Sequence, residues 1–266
     1  MLSGISGAVV VLAFLFLLVP LGITGLMAFD SRSYLGPLPP PSFSLQWFER
    51  FLSDPYLMQG LRTSLMVSTT AVLIAAAAGV ATALFLNRVS PRWSELLTAF
   101  FVSPLIVPPV VIGFALLLFL SQVGIVEGFV RLVCGHLILT IPYTIRATLA
   151  SLAGVDRTLL EAASSLGANE RRVFWEITFP LARTGIVAGA IFAFAISMDD
   201  VAVSMFLTDA TSYTLPVALV SNMRANFDLT IAAASMLLVL FTLLLIVVLD
   251  RLVGVDRVMG QGLHPA

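Results

Sequence analysis

The chain has 266 residues, 59% of them hydrophobic and 11% charged, with a mean hydropathy of +1.04. Soluble domains average roughly 45–50% apolar and about 25% charged residues, so this composition excludes a water-soluble globule. A net charge of −1 gives no electrostatic pull towards nucleic acid. The single cysteine, Cys134, excludes an internal disulfide framework, and the absence of lysine excludes a Walker-type phosphate loop.

Apolar stretches long enough to cross a bilayer, about 20 residues each, set the organisation, because a backbone amide in lipid must be paired inside its own helix. The first predicted span covers residues 8–28. It reads as a retained span rather than a cleaved leader, since no basic residue precedes it. An outer connection, 30–61, follows. Pro37, Pro39, Pro40 and Pro41 predict an extended first half, and Leu45 to Leu52 predicts a short amphipathic helix lying along the membrane interface. The second span is predicted at 65–86 and the third at 96–120. Pro104, Pro108 and Pro109 remove helix bonds in the third, so it is expected to kink or break, as a gate or as a static bend. The fourth span, 129–149, is interrupted by Arg131, His136 and Pro142. His136 and Cys134 read as packing residues rather than metal ligands, because no further His or Cys accompanies them, and no metal site is expected.

The inner connection, 151–183, is rich in charge. Thr158 and Glu161 have capping-box spacing, with Asp156 as an alternative cap. They predict a short helix over 159–166 that stops at Gly167. Asn169 can cap a second helix, 170–179, after which Pro180 opens the fifth span at 184–207. That span carries Ser197, Asp199 and Asp200 as candidate pathway residues. Successive residues are about 100° apart around a helix, so both acids cannot face one pore equally. One is expected to face the passage while the other pairs within the bundle, the alternative being that both serve internal hydrogen bonds. The sixth span is predicted at 229–249.

Six spans place both termini on one side. With that side inside, Arg88, Arg92, Arg146, Arg157, Arg171, Arg172, Arg183, Arg251 and Arg257 are cytoplasmic, against Arg32, Arg50, Arg62, Arg131 and Arg224 outside. The bias favours an N-in, C-in orientation. The expectation is one all-α transmembrane domain over residues 1–266.

Glu161-Ala162-Ala163, three residues, Gly167, nine residues and Ile177-x-Phe179-Pro180 resembles the EAA loop of ABC-importer permeases. It departs from that family's E-A-A…G…I-x-L-P pattern in having Phe179 for leucine. The stretches Ser197 to Phe206, Tyr213 to Pro216 and Ser103 to Pro109 are similar to the spermidine/putrescine group of the same family, and the resemblance covers about 45–253. It implies a type I importer-like bundle of six helices in the bacterial inner membrane. In it, Glu161, Ala162, Ala163, Gly167, Ile177, Phe179 and Pro180 would enter a cleft of an ATP-binding subunit. The implied partners are two ATP-binding subunits, a second permease subunit, homologous or identical, and an extracytoplasmic solute-binding protein. The implied cargo is a polyamine or related small solute. No catalytic residue and no cofactor are expected in this chain, with ATP and Mg held by the partner subunits. The residues alone leave open a stand-alone secondary carrier relaying ions through Asp199 and Asp200, against which no duplicated half is visible. They also leave open an intramembrane enzyme, for which adjacent acids on one helix are poorly placed to share a proton.

Overall fold

The computed structural model describes residues 2–34, 36–155, 157–225 and 228–253. Asp156 and Arg257, read above as a cap and an inner charge, lie outside them. All the regular elements among the described residues are helical. Five helices are long and apolar enough to cross a membrane, and a bent pair makes a sixth if it crosses as one span. The chain divides into two compact units, Met1–Gln59 with Ala218–Leu243 and Gly60–Val217 with Leu244–Ala266.

In the first unit, α1 (Leu2–Ala28) exposes most of its side chains, as a lipid-facing helix does. The proline-rich segment after it has no helix, and α2 (Gln46–Ser53) forms where the amphipathic pattern placed one. Its apolar face is occupied by protein: Trp47 packs with Ala28, Leu229 and Ala233. The Trp47 indole N–H donates to the Asp30 carbonyl at 2.7 Å, so the polar end of a buried ring is satisfied.

The second unit begins within α3 (Pro55–Arg88). The third predicted span is two helices, α4 (Pro91–Val102) and α5 (Pro109–Gln122). A short 3₁₀ turn, Ser103–Leu105, precedes the break, and the two halves are bent by 93°. Pro108 and Pro109 supply no N–H to continue the ladder, and each disfavours the helical conformation in the residue before it. Next, α6 (Gly128–Ala153) starts on a Glu127 side chain that accepts from the amides of Phe129 and Val130. It outruns the predicted fourth span at both ends.

The inner connection is shorter than the sequence suggested. After α7 (Arg157–Ser165) and α8 (Glu170–Val173), a π turn, Phe174–Thr178, leads straight into α9 (Phe179–Asp199). Pro180 therefore lies inside one continuous helix, Glu170–Asp199, instead of opening a new one. The wider π turn, closed by Phe179 N–H to the Phe174 carbonyl, relieves the clash that a proline ring makes in a regular helix. The fifth span also ends earlier than predicted, at Asp199, and α10 (Ser204–Leu207) is a separate turn. The Asp200 carboxylate accepts from the amides of Val203 and Ser204, and this local bonding replaces helix continuation. The helices α11 (Leu215–Ala225) and α12 (Thr230–Val253) complete the described residues.

The core of the second unit is Val67, Ile112, Leu132, Val133, Leu139, Val203 and Leu207. Asp209 ties its outer loop to α6: it accepts from the Gly128 amide at 2.7 Å and from Thr211 and Ser212. Burial pushes the Asp209 pKa up, but the donors on Thr211, Ser212 and Gly128 outweigh it and hold the carboxyl below its usual range. A depressed pKa contributes stability above the unfolded carboxyl value of about 4, and that contribution is lost as pH falls through the folded value. Asp209→Asn is expected to lower the melting temperature of the detergent-solubilised protein at pH 7, with the difference from wild type shrinking as pH falls below the ordinary carboxyl range. A melting series over pH checks it.

Candidate functional site

The inner hairpin has a defined exit. The amide of Gly167 donates to the Ser164 carbonyl at 3.0 Å, and that of Ala168 donates to Ala163 at 3.0 Å. With Gly167 at φ +87°, this is the Schellman closure, in which a left-handed residue satisfies the last carbonyls of a helix. Asn169 then caps the next helix by accepting from the Arg172 amide at 2.9 Å. Glu161, Ala162, Gly167, Phe179 and Pro180 are exposed, while Ala163 and Ile177 are half-buried. Leu166 is 89% exposed, the most exposed large apolar residue described. The hairpin is thus a short capped helix with small and apolar side chains facing outward, joined by a short turn to a 30-residue helix.

At the far end of that helix, the candidate acids and prolines come together. A cavity of about 400 Å³ is lined by Pro104, Val107, Pro109, Tyr143, Asp199 and Asp200, among others. Pro108, the third candidate gate residue, sits at the start of α5 without lining it. The two acids differ. Asp199 is exposed and accepts none of the hydrogen bonds found among the described residues, whereas Asp200 is half-buried and receives Val203 N–H, Ser204 N–H and the Ser204 hydroxyl. Ser197 is off the cavity and buried, its hydroxyl oxygen 2.8 Å from that of Ser68.

The model of the family described as binding-protein-dependent transport system inner membrane component matches residues 57–255. The chain belongs to that family. It is the permease subunit of an ABC importer, an all-α multi-pass protein of the bacterial inner membrane. The permease is 28% identical over 243 residues to the spermidine/putrescine transport system permease protein PotC of Haemophilus influenzae, covering 91% of this chain and 94% of that one. It is 28% identical over 220 residues to the protein of the same name from Shigella flexneri, covering 83% of each. Its fold is similar to a chain in the crystal structure of a bacterial alginate ABC transporter in complex with alginate pentasaccharide-bound periplasmic protein. The TM-score is 0.72, at 14% identity over 95% of both chains.

Sequence reasoning missed two features of the permease. His136 is fully buried with both ring nitrogens engaged, Nδ1 with the Ser197 hydroxyl at 2.6 Å and Nε2 with Ser204 at 2.9 Å. Its signal was a lone histidine in an apolar span. The second is a stripe of small residues, Ala182, Gly185, Gly189 and Ala193, on α9. A Cβ at Gly185 would lie 2.5 Å from the Ala147 carbonyl oxygen, and one at Gly189 would lie 2.8 Å from the Ala147 Cβ. The Gly-x-x-x-Gly spacing of 185 and 189 was the available sign.

Proposed function

We propose that this permease forms the passage together with a second permease subunit, homologous or identical, and lies N-in and C-in in the membrane. Two ATP-binding subunits grip the α7 hairpins, and an external solute-binding protein delivers the cargo. The chain supplies no chemistry of its own, since ATP and Mg reside in the partner subunits. ATP binding biases the passage between inward-facing and outward-facing states through its different affinity for the two.

One observation supports this reading above others: the exposed, capped hairpin of Glu161, Ala162, Ala163 and Gly167 is joined by the short turn at Gly167–Asn169 to one continuous helix, Glu170–Asp199. Thirty residues at 1.5 Å each make a rod of about 45 Å, long enough to carry a displacement from the cytoplasmic face to the outer part of the membrane. The π turn, with Ile177 inside it and Phe179 and Pro180 directly after, lies within the rod, one turn beyond its start at Glu170.

The cargo is a small cationic amine of the polyamine class. The Asp199 carboxylate lines a cavity to which Tyr143 and the prolines of the broken third span also contribute, and an acid there suits a flexible cation. The relatives named for spermidine and putrescine lend the same support. Asp199→Asn is expected to reduce spermidine uptake about tenfold, the equivalent of about 1.4 kcal/mol, with little change in membrane abundance. Uptake of labelled spermidine by liposomes carrying the assembled importer tests it, and unchanged uptake by the variant would remove Asp199 from the pathway.

A further inference from the structure

The core of the second unit contains a polar chain that crosses four elements. Ser68 on α3 meets Ser197 on α9 at 2.8 Å, and Ser197 meets His136 Nδ1 on α6 at 2.6 Å. His136 Nε2 meets Ser204 on α10 at 2.9 Å, and the Ser204 hydroxyl donates to Asp200 at 2.9 Å. Ser68, His136, Ser197 and Ser204 are each at most 2% exposed. Their surroundings are apolar: Val67, Leu139, Val203 and Leu207 belong to the same core. Polar groups buried in such a place are costly unless every one is satisfied, and when satisfied they fix one arrangement of the elements that carry them.

Proton accounting gives the chain a direction at its outer end. A carboxylate only accepts, so the single Ser204 proton goes to Asp200, and the Ser204 oxygen is left to accept from His136 Nε2–H. Asp200 is thereby committed to three donors, all within the turn that follows α9. The neighbouring Asp199 has none of these donors and lines the cavity.

Building on the pathway reading above, we infer that His136 is a positioning residue for translocation: through Ser204 it locks Asp200 into the turn after α9, and so leaves Asp199 as the one carboxylate presented to cationic cargo. His136 does not touch the solute. It decides which of two adjacent acids is structural and which is available.

The test uses the importer assembled with its ATP-binding subunits, second permease and binding protein in liposomes, with labelled spermidine as probe. His136→Gln keeps an N–H donor near the reach of Nε2 and an oxygen towards Ser197. It is expected to retain uptake within about threefold of wild type, whereas His136→Leu and Ser204→Ala fall about tenfold or more. His136→Leu combined with Asp200→Ala is expected to be no worse than the poorer single variant, because both cut the same connection. A second arm needs no cargo. With Cys134→Ser as background, Ala202→Cys places a thiol on the cavity wall beside the locked turn. Its reaction with a small charged thiol reagent should be unchanged by His136→Gln and accelerated about fivefold or more by His136→Leu and Ser204→Ala. Losses that multiply in the double variant, or a glutamine variant as poor as the leucine one in both arms, would overturn the inference. If His136→Leu does not reach the membrane, Ser204→Ala, which removes one oxygen only, decides both arms. Wild-type liposomes that take up no spermidine defeat the cargo reading alone, and the labelling arm still judges His136.

Discussion

Gly167→Asp is expected to leave the permease in the membrane at wild-type abundance and to abolish ATP-driven uptake. The reason is conformational before it is steric: no atom lies within 4 Å of a Cβ built at Gly167, but its φ of +87° is one that side chains with a Cβ adopt at a cost. The left-handed conformation costs roughly 1–2 kcal/mol in a residue other than glycine. A carboxylate at the end of a helix also meets the negative pole of its dipole, for a further penalty of about 0.3–1 kcal/mol. Against a total stability of about 5–15 kcal/mol these sums leave the fold intact. They are large for the short α7, whose carbonyls at Ala163 and Ser164 accept the two amides of this closure. A hairpin that frays there presents Glu161, Ala162 and Leu166 in many orientations and transmits no displacement. Gly167→Asn separates the two causes, because asparagine tolerates the left-handed region and carries no charge. It is expected to keep about a third of the wild-type rate or more. Quantitative immunoblots of membranes, paired with uptake rates, provide the comparison, and normal uptake by Gly167→Asp at equal abundance would count against the coupling role.

The second large effect is on folding. Gly185→Leu is expected to remove most of the protein from the membrane fraction, and what remains should melt well below wild type in detergent. At Gly185 even a bare Cβ would meet the Ala147 carbonyl oxygen at 2.5 Å and the Ser151 Cβ at 2.4 Å. The backbone of α6 cannot retreat cheaply there, because the Ser151 hydroxyl donates to the Leu181 carbonyl and Leu152 packs with Ala83 and Ala182. Overpacking typically costs 1–3 kcal/mol even where side chains can shift, so a leucine against backbone should sit at or above about 3 kcal/mol. Helix association in lipid has no hydrophobic drive and relies on close approach, which makes such contacts decisive. Gly22→Leu in α1 is the matched control: nothing lies within 4 Å of a Cβ there, so the same substitution should leave abundance unchanged.

What could be read in the sequence follows from which forces leave a one-dimensional trace. Apolar runs must be helical in lipid, so the spans around α1, α6 and α12 appear close to where hydropathy put them, whereas α3 starts at Pro55, ten residues before its predicted start and inside the predicted outer connection. Capping leaves local signatures, and Asn169 and Gly167 behave as their positions suggested. The prolines of the third span marked a break, though not its 93° angle, because proline removes bonds without saying where the chain goes next. The end of the fifth span was missed because Val201, Ala202 and Val203 are apolar enough to extend a hydropathy run. What ends the helix is the Asp200 side chain bonding to amides three and four residues ahead. The π turn before Pro180 was invisible for a related reason, since its sequence is also good helix. His136 looked like packing in isolation. Its partners Ser68, Ser197 and Ser204 come from three other elements and meet it only in the folded chain.

The central claim is that the hairpin around α7 is the part of this permease held by an ATP-binding subunit. Leu166 is the side chain to ask, since it is the outermost apolar residue of that hairpin and Cys134, the single native thiol, can first be replaced by serine. Leu166→Cys in the assembled importer, treated with a short bifunctional thiol reagent paired with a cysteine placed in the ATP-binding subunit's cleft, is expected to give a permease–ATPase adduct in native membranes. A Leu166→Cys that reacts freely with a soluble thiol reagent and yields no adduct in any nucleotide condition would contradict the account.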